Sequence, residues 1–254
     1  MTRPRVLAPR TDVMMDHTRE QRAFAAELKF LVAPDLGDAI RDWARVHLSA
    51  DPHGTGDHHD AYTTTSLYTD TSAQDVYRKA GSYGRSKYRV RRYGVSDVAF
   101  LERKLRTRSL LSKRRTPVPV FEVPRLLESP EALEGWNGAW FARRLAARHL
   151  APVCQVSYDR VARVTQTPYG LARLTVDSGL RARVNTTWGF SDGSLTAVLD
   201  ARRIVEMKFL VAMPAVFKRA LMEFGLEPMT VSKYRLSVEG LGLTRRQVDP
   251  MEVA

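Results

Sequence analysis

Three short segments repeat one chemical pattern, a glutamate two residues before a lysine: Glu27/Lys29, Glu102/Lys104 and Glu206/Lys208. In an extended strand, residues two apart project from the same face. Each pair therefore presents a carboxylate beside an ammonium, with Leu28, Phe30, Leu101, Leu105, Val205, Met207 and Phe209 on the opposite face. The same parity groups Lys87, Arg89, Arg91 and Tyr93 against Tyr88 and Val90, and adds Arg106 to Glu102 and Lys104. It sets Tyr158 with Arg160, and Arg173, Thr175, Asp177, Arg181 and Arg183 together if no bulge intervenes. These faces carry eleven Lys or Arg and four Asp or Glu. A merely solvated face mixes both signs with neutral polar residues. A face this rich in cations calls for a polyanion, and its few glutamates suit a divalent metal or the orientation of neighbouring cations.

The elements that must position these residues are short runs rich in Val, Tyr, Thr and Leu and bounded by Gly, Pro, Asp and Ser, the signature of strands. They are 26–32, 61–69, 86–94, 98–106, 153–164, 170–184 and 196–211. Helix signals stand between them. Ser129-Pro130-Glu131 offers a cap, a first-position proline and an acidic first turn ahead of Leu133, Trp136, Trp140 and Leu145. Pro214 opens a stripe of Val216, Phe217, Ala220, Leu221 and Phe224 that Gly225 stops, and residues 36–48 carry Leu36, Ile40 and Trp43. Residues 109–127, with Lys113-Arg114-Arg115 and three prolines, read as a long connection. Residues 1–22 read as a flexible basic arm and 238–254 as a tail, leaving one domain over 23–237. Strands with inserted helices make an α+β chain built on an antiparallel sheet. A sheet of this size would curl or close to protect its edges. Two readings of the charged faces remain open: a sheet with one wet face, or a sheet rolled with its charges inward around a cationic lumen. Such a lumen needs a ligand, because unpaired buried charge costs several kcal/mol per ion.

Composition narrows the partners. The chain has 254 residues, 40 Lys and Arg against 28 Asp and Glu, and a net charge of +12. A single cysteine, Cys154, excludes an internal disulfide framework and a multi-cysteine zinc site. No apolar run approaches the ~20 residues of a membrane span, and the first residues lack a signal-peptide core. A cytoplasmic protein is expected. No GxxxxGK[ST] or GxGxxG loop is present, against a P-loop kinase.

The ordered motifs carry a resemblance. Glu27-Leu28-Lys29-Phe30, Ser66-Leu67-Tyr68-Thr69-Asp70-Thr71 and Lys87-Tyr88-Arg89-Val90-Arg91-Arg92-Tyr93-Gly94 are followed by Leu101-Glu102-Arg103-Lys104 and Tyr158-Asp159-Arg160. Then come Arg173-Leu174-Thr175-Val176-Asp177, Val205-Glu206-Met207-Lys208-Phe209 and Ser232-Lys233-Tyr234. Over about Phe24 to Arg235 the chain resembles the VTC domain, the polyphosphate-polymerase branch of the triphosphate tunnel metalloenzymes. The resemblance implies a closed antiparallel eight-stranded β-barrel, the triphosphate tunnel fold, flanked by helices. It implies transfer of the γ-phosphate of ATP to inorganic polyphosphate with Mn2+ or Mg2+. By motif, Lys29, Arg89, Arg91, Lys104 and Arg160 take the catalytic positions. Lys113, Tyr158, Arg173, Lys208, Ser232 and Lys233 contact substrate, and Glu206 holds the metal, with Glu27 and Glu102 as weaker candidates. The hydrolytic branch of the superfamily opens with Glu-x-Glu-x-Lys, and the first of those positions is Ala25 here.

Two alternatives stand beside this reading: a tunnel (tri)polyphosphatase or nucleoside triphosphatase, and a non-catalytic polyanion- or nucleic-acid-binding module. Carboxylates facing the ligand argue against nucleic acid. A membrane-protein partner and the oligomeric state are left open. The loop Asp51-Pro52-His53-Gly54-Thr55-Gly56-Asp57-His58-His59-Asp60 has the composition of a metal site, but its spacing matches no ligand face.

Overall fold

The computed structural model describes residues 25–107 and 110–244; the basic arm expected over 1–22 lies outside them. The strands are β1 (Ala25–Val32), β2 (Ser49–Ala50), β3 (Ala61–Asp70), β4 (Ser86–Tyr93), β5 (Val98–Thr107), β6 (Leu110–Pro119), β7 (Ala151–Thr167), β8 (Gly170–Val184), β9 (Thr196–Ala197) and β10 (Arg203–Leu210). The helices are α1 (Pro34–His47), α2 (Asp75–Arg78), α3 (Ala139–Ala146), α4 (Ala215–Glu223) and α5 (Lys233–Gly240), with 3-10 turns at Gly81–Arg85 and Val120–Leu127. Every pairing is antiparallel, and the strand order is β1-β10-β8-β7-β3-β4-β5-β6, with β2 added on β7 and β9 on β8.

The expected closure into a barrel is corrected here. Among the described residues no backbone ladder joins β1 to β6, so both remain edges. The sheet is nevertheless rolled, since Lys104 on β5 reaches Glu27 on the opposite edge strand at 2.8 Å. Pro117 and Pro119 withhold two N–H donors from β6, which suits an edge.

Alternation builds the two sides of this curled sheet. Phe30, Val32, Leu174, Val205, Met207 and Phe209 face outward and bury against Ile40, Trp43 and Ala44 of α1 and Phe217 and Ala220 of α4. Leu67, Tyr88, Val90, Ala99, Leu101 and Val118 do the same against Trp140, Phe141 and Leu145 of α3. With the apolar residues outward and under helices, the charged residues are left facing in. α5 packs against β7 and β8: Tyr234 stacks on Tyr68 at 5.4 Å and its hydroxyl donates to Asp70 at 2.6 Å. Asp70 also accepts from the backbone N–H groups of Thr71, Val76 and Tyr77, tying β3, α2 and α5 into one corner.

Several expected boundaries move. Residues 110–119, read as part of a connection, are an edge strand, because Lys113, Arg114 and Arg115 alternate: Arg114 lies 4.0 Å over the Trp140 ring while Lys113 and Arg115 turn to Glu102. The helix expected from Ser129 starts only at Ala139. The strand expected over 196–211 is two, β9 and β10. The tail expected from 238 begins inside α5, where Val238 is fully buried and Leu241 and Leu243 pack on the core. No helix among the described residues is long and apolar enough to cross a membrane.

Candidate active site

Register pairs opposite charges across the inner face. β1 against β10 sets Glu27 opposite Lys208 and Lys29 opposite Glu206. β4 against β5 sets Arg89 opposite Glu102, β5 against β6 sets Glu102 opposite Arg115, and β7 against β8 sets Arg160 opposite Asp177. Opposite charges at such positions support the ladder. They also hold long side chains extended toward one space.

That space is a cavity of about 120 Å³ lined by ten Lys and Arg residues and only three acids, Glu27, Glu102 and Glu206. Glu206 is buried and stands 3.0 Å from Lys208, 3.1 Å from Lys233, 3.6 Å from Lys29 and 3.9 Å from Arg160. Burial pushes its carboxyl up, but Lys208, Lys233, Lys29 and Arg160 outweigh that and hold it well below the usual carboxylate range. Glu102 and Glu27 follow the same logic. Burial opposes ionisation, yet Arg89, Arg91 and Lys113 keep Glu102 charged, and Lys208 and Lys29 keep Glu27 charged.

A second layer orients the cations. Arg160 makes a two-pronged pair with Asp177, at 2.6 and 2.7 Å, and Lys233 meets the same carboxylate at 2.5 Å. Lys233 also lies 4.7 Å over the Tyr158 ring. Arg89 donates to Glu102 at 2.7 Å and to the Tyr68 hydroxyl at 3.4 Å. Arg91 donates to Ser66 at 3.1 Å and to the Tyr158 hydroxyl at 3.2 Å. Bidentate contacts of this kind fix a guanidinium plane.

Of the residues singled out in the sequence, Lys29, Arg89, Arg91, Lys104, Lys113, Tyr158, Arg160, Lys208, Ser232, Lys233, Glu27, Glu102 and Glu206 all line this one cavity. Arg173 does not. It sits in register opposite Lys208, but its guanidinium turns to the buried Asp51 at 2.6 Å. Arg181 and Arg183 also leave the set. Gly179, at φ +59°, opens a bulge where β8 gains a residue against Ser157–Asp159 of β7. Beyond it the parity reverses, and the two arginines pair with Asp159 and Ser191 instead. Lys87, Tyr68 and Arg103 line the cavity, and Asp177 supports it, without a site role having been assigned to them from the sequence. Lys87 shared the parity of Arg89, Tyr68 lay in a quoted motif, and Asp177 needed only Arg160 as its cross-strand partner.

The histidine-rich loop lies outside the cavity. Its histidines are exposed, while Asp51 and Asp60 are buried as anchors, Asp60 pairing with Arg45 and Arg163. Among the described residues no three His, Cys, Asp or Glu side chains group in a way that could hold a metal by themselves. Glu27 and Glu206, however, share the ammonium of Lys29, at 3.0 and 3.6 Å. A hard cation that takes one or two carboxylates and fills its shell with water and phosphate oxygens fits this pair.

The VTC domain matches this chain over residues 24–241. The chain belongs to the VTC domain family. A search of curated proteins returns no match. Among solved structures, this VTC domain is similar to HpAC1 of Hippeastrum, a candidate adenylyl cyclase with a dominant triphosphatase activity. The identity is 16% and the TM-score 0.49, with 85% of this chain and 95% of that chain covered. It is also similar to a candidate adenylate cyclase of Bacillus halodurans, at 14% and 0.48 with 85% and 96% covered. For the PH1819 protein of Pyrococcus horikoshii the values are 14% and 0.46 with 85% and 98% covered.

Proposed function

We propose that this VTC domain is a polyphosphate polymerase, moving the γ-phosphoryl group of ATP onto the end of an inorganic polyphosphate chain, with Mn2+ or Mg2+. The observation that carries the reading is the charge surplus in the lumen: ten cations and three glutamates converge from six strands and the start of α5 on one cavity. That surplus exceeds the charge of one triphosphate group, as expected where a donor and an acceptor lie end to end.

Phosphoryl transfer asks for alignment and for positive charge where the transition state spreads negative charge. The terminal oxygen of the acceptor chain attacks the γ-phosphorus while the bond to the β-phosphate oxygen breaks and ADP leaves with the electron pair. The attacking oxygen is already an anion, so no general base is required. Arg89, Arg91 and Arg160, held by Glu102, Tyr158 and Asp177, offer planar forks to equatorial oxygens. Lys29, Lys104, Lys113 and Lys208 offer mobile point charges that exchange a carboxylate for a phosphate. A divalent cation on Glu206, with Glu27 beside it, would neutralise charge on the phosphate oxygens. A duplex nucleic acid is too wide for a cavity of about 120 Å³.

Purified protein with ATP and Mn2+ tests the reading by resolving ADP, phosphate and acid-labile polymer. ADP and polymer should rise together with little early free phosphate. Phosphate rising in step with ADP from the first turnover, with no polymer, would replace the polymerase with a tunnel hydrolase.

A further inference from the structure

The register that sets acids against cations does not hold throughout. Lys87, Lys104 and Lys113 lie directly opposite one another across β4, β5 and β6, three ammonium-bearing side chains in one line on the inner face. Like charges so placed destabilise a ladder. Two of the three have a counter-charge: Lys104 reaches Glu27 at 2.8 Å and Lys113 stands 3.9 Å from Glu102. Lys87 forms no ion pair among the described residues, and its ammonium donates to a neutral acceptor, the Ser232 hydroxyl, at 3.2 Å.

Lys87 also stands where two cavities meet. A second cavity of about 360 Å³ opens beside the first, and Glu27, Lys29, Lys87, Lys104 and Ser232 line both. The groups that face Lys87 come from every side: Lys29 from β1, Tyr68 from β3, Arg89 from its own strand, Lys104 from β5 and Ser232 ahead of α5. Arg85, Lys79, Arg106 and Arg235 line the second cavity with it.

We propose that Lys87 takes up a proton from solvent when a phosphate chain reaches this junction, so that binding of the chain is coupled to protonation of one lysine. The inference rests on the phosphate-chain function proposed above. A polyanion supplies the counter-charge that Lys87 lacks and so favours the ammonium over the amine. Without it, crowding by the protein pushes the Lys87 pKa down to about 8; Tyr68 opposes that shift, and the like charges of Lys29, Lys104 and Arg89 add to it. The group is thus depressed in the free protein and raised in the complex. Affinity is full below pH 8 and falls as pH rises through 8, by up to about tenfold per unit.

The test is calorimetric titration of the full chain with inorganic tripolyphosphate, in buffers of different ionisation enthalpy. Lys87→Arg keeps the charge at every pH and cannot take up the proton. At pH 8 the wild type should absorb about half a proton more per ligand than Lys87→Arg. Its affinity should also fall more steeply between pH 7 and pH 9. Protons carried by the ligand, and by Lys104 or Lys113, cancel in this difference. A second variant, Lys87→Met, should bind several-fold more weakly than wild type at pH 7, with the gap narrowing toward pH 10. Equal proton uptake and equal pH slopes in wild type and Lys87→Arg overturn the inference, as does a Lys87→Met deficit that is the same at pH 7 and pH 10. In both cases the phosphate-chain function survives. Tripolyphosphate that fails to bind the wild type at pH 7 overturns that function and this inference with it.

Discussion

Glu206 concentrates the logic of the site in one carboxylate. It meets three lysines and an arginine within 3.9 Å, so removing its charge leaves several cations facing one another. Glu206→Gln should cost about 3–5 kcal/mol of stability, the usual penalty for breaking a buried pair. It should also reduce ATP turnover in Mn2+ by at least about a hundredfold, comparable to losing a transition-state donor. Turnover that survives in a folded variant would take Glu206 out of the metal site. Lys233 and Lys208 divide the labour differently. Lys233 is buried between Asp177 and Glu206, whereas the Lys208 side chain is 40% exposed to the lumen. Lys233→Ala is therefore expected to lower the melting temperature strongly. Lys208→Ala, which removes a part-exposed cation beside Glu206, should lower it less, while polymer formation drops about tenfold. A melting curve and a product assay on both variants decide it; the opposite assignment of effects would reverse the two roles. The lone thiol stays outside this chemistry: burial, with Asp70 nearby, pushes Cys154 up to about 12.

At the level of elements, what parity could show was bounded by the first bulge. β1, β4 and β5 hold their alternation from end to end, and their inward sets, Glu27/Lys29, Lys87/Arg89/Arg91 and Glu102/Lys104, were legible from spacing two alone. β8 does not, because Gly179 adopts a left-handed backbone and inserts a residue. A Cβ there would meet Asp159 Oδ2 at 3.4 Å, so space is adequate and the strain is in the backbone. Gly179→Ala should cost about 1–2 kcal/mol, measured as a shift in denaturant midpoint; a neutral result would mean that the bulge relaxes without penalty. β6 escaped notice for a different reason. Its prolines and consecutive cations look like a loop, yet both are tolerated on an edge strand that pairs on one side only. α5 was missed because its eight residues mix polar and apolar types, and only its packing on β7 and β8 gives it a buried side.

Across the whole molecule, the lumen acids make a joint statement about pH. Glu27, Glu102, Glu206 and Asp177 are all held below their ordinary values by surrounding cations, against the pull of burial. Groups depressed in the folded state contribute stability that is fully present above their unfolded pKa values and lost as pH falls through the folded ones. The fold should therefore persist at about pH 4, where isolated carboxylates already titrate, and give way only below about pH 3. Circular dichroism across an acid titration tests this, and cooperative unfolding between pH 5 and pH 4 would contradict it. The unjoined edges belong to the same scale. β1 is tied to the far side of the sheet at β5 by the side chains of Glu27 and Lys104 rather than by a backbone ladder.

The amino-acid sequence by itself determined the two-faced strands, their cations and the Glu-x-Lys pairs, because a spacing of two is imposed by covalent geometry within each strand. It also carried the family resemblance, through the order of its motifs along the chain. Only the tertiary structure decided which acid meets which cation, since register depends on pairing between residues far apart in the chain. That long-range pairing places Asp177 against Arg160, turns Arg173 away to Asp51, and leaves Lys87 facing Lys104 with no carboxylate partner among the described residues.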